Sequence, residues 1–404
     1  MLQFYFILKN IFFIFVFIFI QSNYIFADKL LVNCGGDFNT FLRNIGEVAI
    51  NQGIDKNDVF LVLKKTQMSK KVLSFDRKQS TFRLSFTDFS KKAINSYRLK
   101  NGKKNIKKYR DLFLIAKSKY GIPPEVITAF WAMETDFGAV QGNFHTISAL
   151  ATLAHDCRRP EMFQQEYIAA IHLFSKGVID LKTTGAWAGE VGQVQMLPSD
   201  ILRFGSDGNK DGIIDLKKSP EDSILTAAAL ISELGWKPNQ PWIEEVIIND
   251  INFPWQEAGF GRNRTVSSWK KLGIISRNKK FMASDKTMAT LLLPQGLKGP
   301  KFLAYPNYNI YLKWNDSFIY TVTAAHLASR LGGQKNFLSN KPEKILSVEE
   351  MLKLQKILQS MGYDVGKVDG ILGRKTRQSV RSIQIKLGLP ADSWPTADLF
   401  NTLN

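Results

Sequence analysis

Pro123-Pro124-Glu125-Val126-Ile127-Thr128-Ala129-Phe130-Trp131-Ala132-Met133-Glu134-Thr135-Asp136-Phe137-Gly138 is the stretch from which the rest of the chain can be read. A proline in the first turn of a helix gives up no needed hydrogen bond, so Pro123-Pro124 predicts a helix start. Gly138 predicts its end, because glycine accepts the left-handed cap. At about 3.6 residues per turn, Ile127, Phe130, Trp131 and Glu134 share one stripe. Glu134 is then a carboxylate on an otherwise apolar face. A carboxyl stripped of hydration keeps its proton toward neutral pH. That property suits a general acid for cleaving a sugar–oxygen bond. Taken alone, the residues also fit a solvated glutamate near a helix end.

Two later strings change the weighting. Ala149-Leu150-Ala151-Thr152-Leu153-Ala154 leads into Cys157-Arg158-Arg159-Pro160-Glu161-Met162-Phe163. Then comes Gly185-Ala186-Trp187-Ala188-Gly189-Glu190-Val191-Gly192-Gln193-Val194-Gln195-Met196-Leu197-Pro198-Ser199. In this order, with Glu134-Thr135-Asp136-Phe137-Gly138 before them, these strings resemble the lytic murein transglycosylase B family, from about Phe38 to about Leu331. The last string is long, punctuated by glycines and hard to obtain by chance. The resemblance implies a mainly α fold with a small β element, a lysozyme-like catalytic domain followed by a small three-helix C-terminal domain. The expected division is 1–27 signal peptide, 28–335 catalytic domain, 336–346 linker and 347–404 peptidoglycan-binding domain.

Most glycosidases use two carboxylates; the family resembled here uses one glutamate. The resemblance implies that Glu134 protonates the oxygen between N-acetylmuramic acid and N-acetylglucosamine. It then serves as base toward the muramic acid's own C6 hydroxyl, which closes a 1,6-anhydro ring. The nucleophile is already attached to the substrate, so proximity does much of the catalysis. Asp136 lies roughly 200° around the helix from Glu134 and is a poor partner for it. The same resemblance implies a glycan groove lined by Gln195, by the Arg158-Arg159 pair, and by Asn315 and Tyr320 of Trp314-Asn315-Asp316-Ser317-Phe318-Ile319-Tyr320. Gln195 suits an acetamido group, and the arginines suit carboxylates. Family members often carry tyrosine where Trp314 stands and serine where Ala186 stands. Other roles compete: a surface ion pair for each arginine, loop-holding hydrogen bonds for Gln195, Asn315 and Tyr320, and core packing for Trp187.

Asp207-x-Asn209-x-Asp211-Gly212-Ile213 has the opening of an EF-hand calcium loop. Position twelve is Lys218, not the bidentate glutamate, and a later acid, Asp222, would have to close it. Asp207, Asn209, Asp211, Ile213 and Asp222 are therefore a candidate structural calcium set, set against a turn that binds nothing. No other cofactor is required.

The chain has 404 residues, 45% of them apolar, and a net charge of +18. That length suggests two or three domains with an ordinary core. The charge favours an anionic partner, either murein with its peptide carboxylates or a membrane surface; it also fits a merely solubilising surface. No nucleic-acid motif is present. Residues 11–20 are all apolar with Lys9 just before them, a signal-peptide core too short for a span. Ile25-Phe26-Ala27 offers cleavage before Asp28, and an uncleaved anchor is the alternative. Leu31-Val32-Asn33 before Cys34 is a poor lipidation signal. The expectation is a monomer in the periplasm of a Gram-negative bacterium, with membrane association left open. Its partners are glycan strands and other cell-wall enzymes, and not nucleic acid. Cys34 and Cys157 are the two cysteines, and in an exported chain they read as a disulfide or as two buried thiols.

Phe41, Ile45, Val48 and Ala49 recur at helical spacing, whereas Lys100 to Arg110 reads as basic loop or helix opening. Pro220-Glu221-Asp222 opens a helix that Gly235 stops. Val246-Ile247-Ile248 and Met288 to Leu293 suggest short strands, and Ala324 to Leu331 a helix. In the tail, Ser347 and Glu350 form a capping box. Gly362-Tyr363, Val368-Asp369-Gly370 and Gly373-Arg374-Lys375-Thr376 resemble a three-helix peptidoglycan-binding module. Two other readings stand beside the enzyme: an inactive wall-binding scaffold and a lysozyme-type hydrolase.

Overall fold

Helices begin where short polar side chains stand ready to cap them. Asp37, Asp55, Ser85 and Asn95 each accept a main-chain N–H at the start of α1 (Phe38–Asn51), α2 (Lys56–Lys65), α4 (Phe86–Ala93) and α5 (Ser96–Lys108), with α3 (Lys70–Arg77) between. The structure is a computed structural model and describes residues 30–77, 84–250, 252–338 and 341–404. The signal peptide read at residues 1–27 lies outside the described residues. Among the described residues, no helix is long and apolar enough to cross a membrane.

α6 (Arg110–Tyr120) leads through Gly121 to α7 (Pro124–Thr135), the central helix of the larger domain. Val126, Ile127, Ala129, Phe130 and Ala132 of α7 are fully buried. After it come α8 (Thr146–His155), α9 (Pro160–Ser175), α10 (Pro198–Phe204) and α11 (Pro220–Glu233), of which α11 packs on α7. α8, nearly all apolar or small, is buried along its length against α9. A two-residue ladder pairs β1 (Phe144–His145) with β2 (Thr184–Gly185).

The small β element is a five-stranded antiparallel sheet, in the order β4 (Asn263–Thr265), β6 (Met288–Leu292), β7 (Phe302–Ala304), β3 (Ile243–Ile248) and β5 (Ile274–Ser276). It has its own core, in which α12 (Val266–Lys271) buries Trp269 completely. The chain then returns to the helical core through α13 (Tyr308–Trp314) and α14 (Phe318–Leu331), and α14 packs along α7.

The tail folds as α15 (Val348–Ser360), α16 (Arg374–Lys386) and α17 (Ala397–Leu403) around Met351, Leu354, Leu358, Val380, Ile383 and Trp394. The capping box of Ser347 and Glu350 forms as read. This domain is docked on the rest of the chain. Arg377 donates to Pro294 O at 2.8 Å, and Asp392 accepts from Leu297 N at 2.9 Å. The guanidinium of Arg377 lies over the Phe318 ring at 4.9 Å.

The fold decides the state of two polar stretches. Of the two readings of Lys100 to Arg110, loop is excluded and helix opening holds at Arg110, which begins α6; residues through Lys108 belong to α5, whose Gly102 lets it settle onto Leu331 and Thr128 (an added Cβ would come 2.7 Å from Leu331). In the polar run at 336–346, described residues near either end are held in place. The Phe337 ring lies tilted against Phe86 and His326, Leu338 N donates to Glu245 at 2.7 Å, and Leu346 is buried. Apolar residues scattered among its Lys and Asn supply the docking surface.

Candidate active site

α7 stops in three left-handed residues, Asp136, Phe137 and Gly138, with φ of 51°, 63° and 88°. The helix therefore closes two residues sooner than Gly138 alone suggested. Arg98 of α5 holds Asp136 through Nε at 2.5 Å. Thr135 Oγ1 accepts from Gly138 N at 2.8 Å and donates to Gln193 O. Trp131 Nε1 donates to Gln193 Oε1 at 3.1 Å. Gly138 lies so close to Gln193 that a Cβ would meet its Oε1 at 2.7 Å. The glycine-punctuated loop is thus bolted to the end of α7.

Glu134 sits just inside that end. Two donors converge on one of its oxygens: Trp314 Nε1 reaches Oε1 at 2.9 Å, and the Tyr320 hydroxyl donates to the same Oε1. Neither engages Oε2. Burial pushes the Glu134 carboxyl above its usual range, opposed by the bonds from Tyr320 and Trp314 and by the charge of Arg98. Tyr320, buried beside that carboxyl, is pushed well above its ordinary 10 and stays a donor. The placement has local causes. Asn315 Oδ1 accepts from Ser317 N at 2.9 Å, and Ser317 Oγ caps α14 at Tyr320 N. The Trp314 ring stacks on Phe130 with centroids 4.2 Å apart.

The other expected residues divide. Tyr320 meets Glu134, while the Asn315 carbonyl is spent on the turn between α13 and α14. Gln195 sits at φ 49°, and its amide donates to Gly192 O at 2.8 Å, inside the hairpin closed by the Val191–Met196 bridge. Arg158 and Arg159 both grip Asp76, a carboxylate 1% exposed on α3, Arg159 at 2.5 Å. Trp187 packs against the helical core. Cys34 and Cys157 are joined, Cα to Cα 5.4 Å, which ties the start of the described chain to the segment carrying the arginines.

The 207–222 loop closes through its own hydrogen bonds. Asp207 accepts from Gly212 N at 2.8 Å, Asp211 from Ile213 N at 2.8 Å, and buried Asp222 from Gly208 N and Asp215 N at 2.9 and 2.8 Å. Asn209 Nδ2 donates to Asp211 at 2.9 Å. Lys218, at the twelfth position, turns its ammonium toward Asp215 at 3.8 Å. Among the described residues, no three His, Cys, Asp or Glu side chains are grouped to hold a metal. In this arrangement the candidate oxygens are engaged by N–H groups of the loop itself.

The donor role of Trp314 was missed in the sequence. Its indole N–H, like the hydroxyl of the family's tyrosine, can reach a carboxylate, and that was the available signal. Asp76 and Arg98 carry no motif and come from distant helices, so nothing in the sequence pointed to them.

Residues 37–329 match the family model described as Transglycosylase SLT domain. The chain belongs to that family. Residues 347–403 match the Putative peptidoglycan binding domain. The Membrane-bound lytic murein transglycosylase B of Escherichia coli is 26% identical over 242 residues, 59% of this chain and 65% of that protein, so the chain spans a little under two thirds of it. SltB3 of Pseudomonas aeruginosa, solved in complex with NAG-anhNAM-pentapeptide, is similar with a TM-score of 0.83 and 29% identity, over 91% of this chain and all of that one. The Escherichia coli lytic transglycosylase Slt35 in complex with calcium gives 0.64 and 25%, over 75% of this chain and 96% of that one. The resemblance read from the motifs is thus the relationship that the comparisons find.

Proposed function

We propose that this SLT-family chain is an exported murein lytic transglycosylase. It cleaves the β-1,4 bond between N-acetylmuramic acid and N-acetylglucosamine, and leaves 1,6-anhydromuramic acid ends. The observation that carries this reading is the one-sided clamp on Glu134. With Oε1 accepting from Trp314 and Tyr320, the carboxyl's proton belongs on Oε2. Desolvation keeps it there toward neutral pH. Oε2 gives the proton to the glycosidic oxygen as the C1–O bond breaks. The carboxylate that results is stabilised at Oε1 by the same two donors, which strengthen as charge develops. It then takes the proton of the C6 hydroxyl while that oxygen bonds to C1. The acid is regenerated, and no water is consumed.

Gln195 and Arg159 line the groove for an acetamido group and a carboxylate in this reading, and the C-terminal domain holds the enzyme on its polymer. Export to the periplasm of a Gram-negative cell goes with a murein substrate. Calcium is no part of the reaction.

The test is mass spectrometry of the products released from purified sacculi by the full chain, beside Glu134→Gln. Muropeptides about 18 Da lighter than the hydrolysed forms, made by wild type alone, are expected, since water is never added. Reducing ends would make the protein a lysozyme-type hydrolase; binding without cleavage would make it a scaffold.

A further inference from the structure

The positive charge of this chain is gathered in one place. Residues 91–120 hold eleven Lys and Arg against a single acid, Asp111, a net +10 of the chain's +18. α5 carries the densest part. It contains no acid, and its Lys100, Lys103, Lys104, Lys107 and Lys108 are all exposed. At about 100° per residue the five fall within an arc of roughly 140°, spread along about 12 Å of helix. The opposite side of α5 is the one that packs. Gly102 meets Leu331 of α14 and Thr128 of α7, and Arg98 holds Asp136 at the end of α7. The lysine row is therefore the outward face of a helix fixed to the catalytic core.

Among the described residues, none of the five lysines is ion-paired. Exposed cations elsewhere do find acids: Arg77 takes Asp156 at 2.7 Å, Arg203 takes Glu233 at 3.2 Å, and Lys375 takes Asp364 at 2.8 Å. Lys100 and Lys104, Lys103 and Lys107, and Lys104 and Lys108 are like charges one turn apart, and each pair weakens the helix slightly. An anionic partner removes that repulsion. α6 follows directly and leaves Leu114 and Ile115 exposed. Leu114 stands one turn from Arg110 and one turn from Lys117, so cations bracket it on its stripe.

The combination selects the partner. Lysine ammoniums are point charges that ask for no fixed geometry, whereas arginine forks suit carboxylates one at a time. A convex row on a helix encloses no single sugar or peptide. Apolar side chains between cations gain by entering the headgroup boundary of a bilayer and gain nothing from a hydrated glycan. We propose that α5 and the start of α6 form a face that lies on anionic phospholipid and holds the catalytic core at the membrane surface. From the reading above it takes only that the chain is exported.

The test is sedimentation with vesicles of phosphatidylcholine alone, or of an equimolar mixture with phosphatidylglycerol. The protein is the chain from residue 28 onward, which carries every described element and leaves out the apolar run at 11–20 that would enter lipid by itself. Binding to the mixed vesicles alone is expected, weakened by salt. Each cation near an anionic surface contributes about fivefold to partitioning. Lys100→Gln, Lys103→Gln, Lys104→Gln and Lys107→Gln together therefore weaken binding about a hundredfold or more. Lys64→Gln, Lys65→Gln, Lys353→Gln and Lys356→Gln make the same change in net charge at exposed sites elsewhere and leave it within about fivefold. Glutamine is as good a helix former as lysine, and thermal melts establish that both variants are folded. No binding to the mixed vesicles, equal binding to both kinds, or equal loss in the two variants overturns the face. Loss of sacculus binding by the α5 variant with vesicle binding unchanged overturns it as well and assigns the row to the wall. The product masses from sacculi fail separately: reducing ends would sink the transglycosylase reading and leave the lipid result standing.

Discussion

Replacing Tyr320 by phenylalanine removes one of the two donors from Glu134 Oε1 and leaves the ring that is buried in α14. The bond favours the charged carboxyl, so its loss raises the Glu134 pKa further above the usual 4.5. A hydrogen bond to a charged group contributes about 1.5–3 kcal/mol. The part of that energy that the charged form gains over the neutral one moves the pKa up. Glu134 must be protonated to start the reaction, so its ionisation sets the alkaline limb of kcat/KM in the free enzyme. That limb moves to higher pH in Tyr320→Phe. On the acidic plateau the rate falls about ten- to a hundredfold, because the carboxylate formed as the proton leaves has lost a donor. Trp314→Phe keeps the stack on Phe130, loses the bond at 2.9 Å, and moves the limb the same way. The assay is initial release of anhydro-muropeptides from sacculi between pH 4 and 9. A limb that stays in place, or moves to lower pH, refutes the clamp.

Three further outcomes follow from the same structure. Glu134 is raised in the folded state, so wild type loses stability as pH climbs above about 4.5 through the folded value. Glu134→Gln has no such loss: relative to wild type its melting temperature rises as pH climbs from about 4.5 through the folded value and then holds its lead, and a difference that is constant from pH 4 upward would contradict the burial argument. Cys34 and Cys157 are 123 residues apart, so Cys34→Ser with Cys157→Ser removes up to about 5 kcal/mol of loop-closure stabilisation. Denaturant unfolding would show it, and an unchanged midpoint would sink it. Millimolar calcium or EDTA moves the melting temperature by less than about 1 °C, since the 207–222 oxygens already accept main-chain N–H groups and Lys218 occupies the twelfth position. A rise of several degrees that Asp207→Ala abolishes would refute this.

The sequence by itself determined what depends on neighbours along the chain. The α7 stripe, its proline start, the Ser347–Glu350 capping box and the three-helix tail are set by periodicity and by groups a few residues apart, where the physics is local. The glycine-punctuated string named the family because left-handed glycines and close approaches tolerate few substitutes. The basic run through Lys108 stayed open between loop and helix; its Gly102 packs on Leu331 more than two hundred residues later, a contact that no local pattern announces.

Tertiary structure alone decided the chemistry around Glu134. Its two donors arrive from 180 and 186 residues away. The partner of Arg158 and Arg159 is an aspartate about eighty residues upstream of them, and Glu166 is satisfied by Ser199 from another helix. Desolvation and hydrogen-bond satisfaction are properties of surroundings, and no residue carries its surroundings in its own identity.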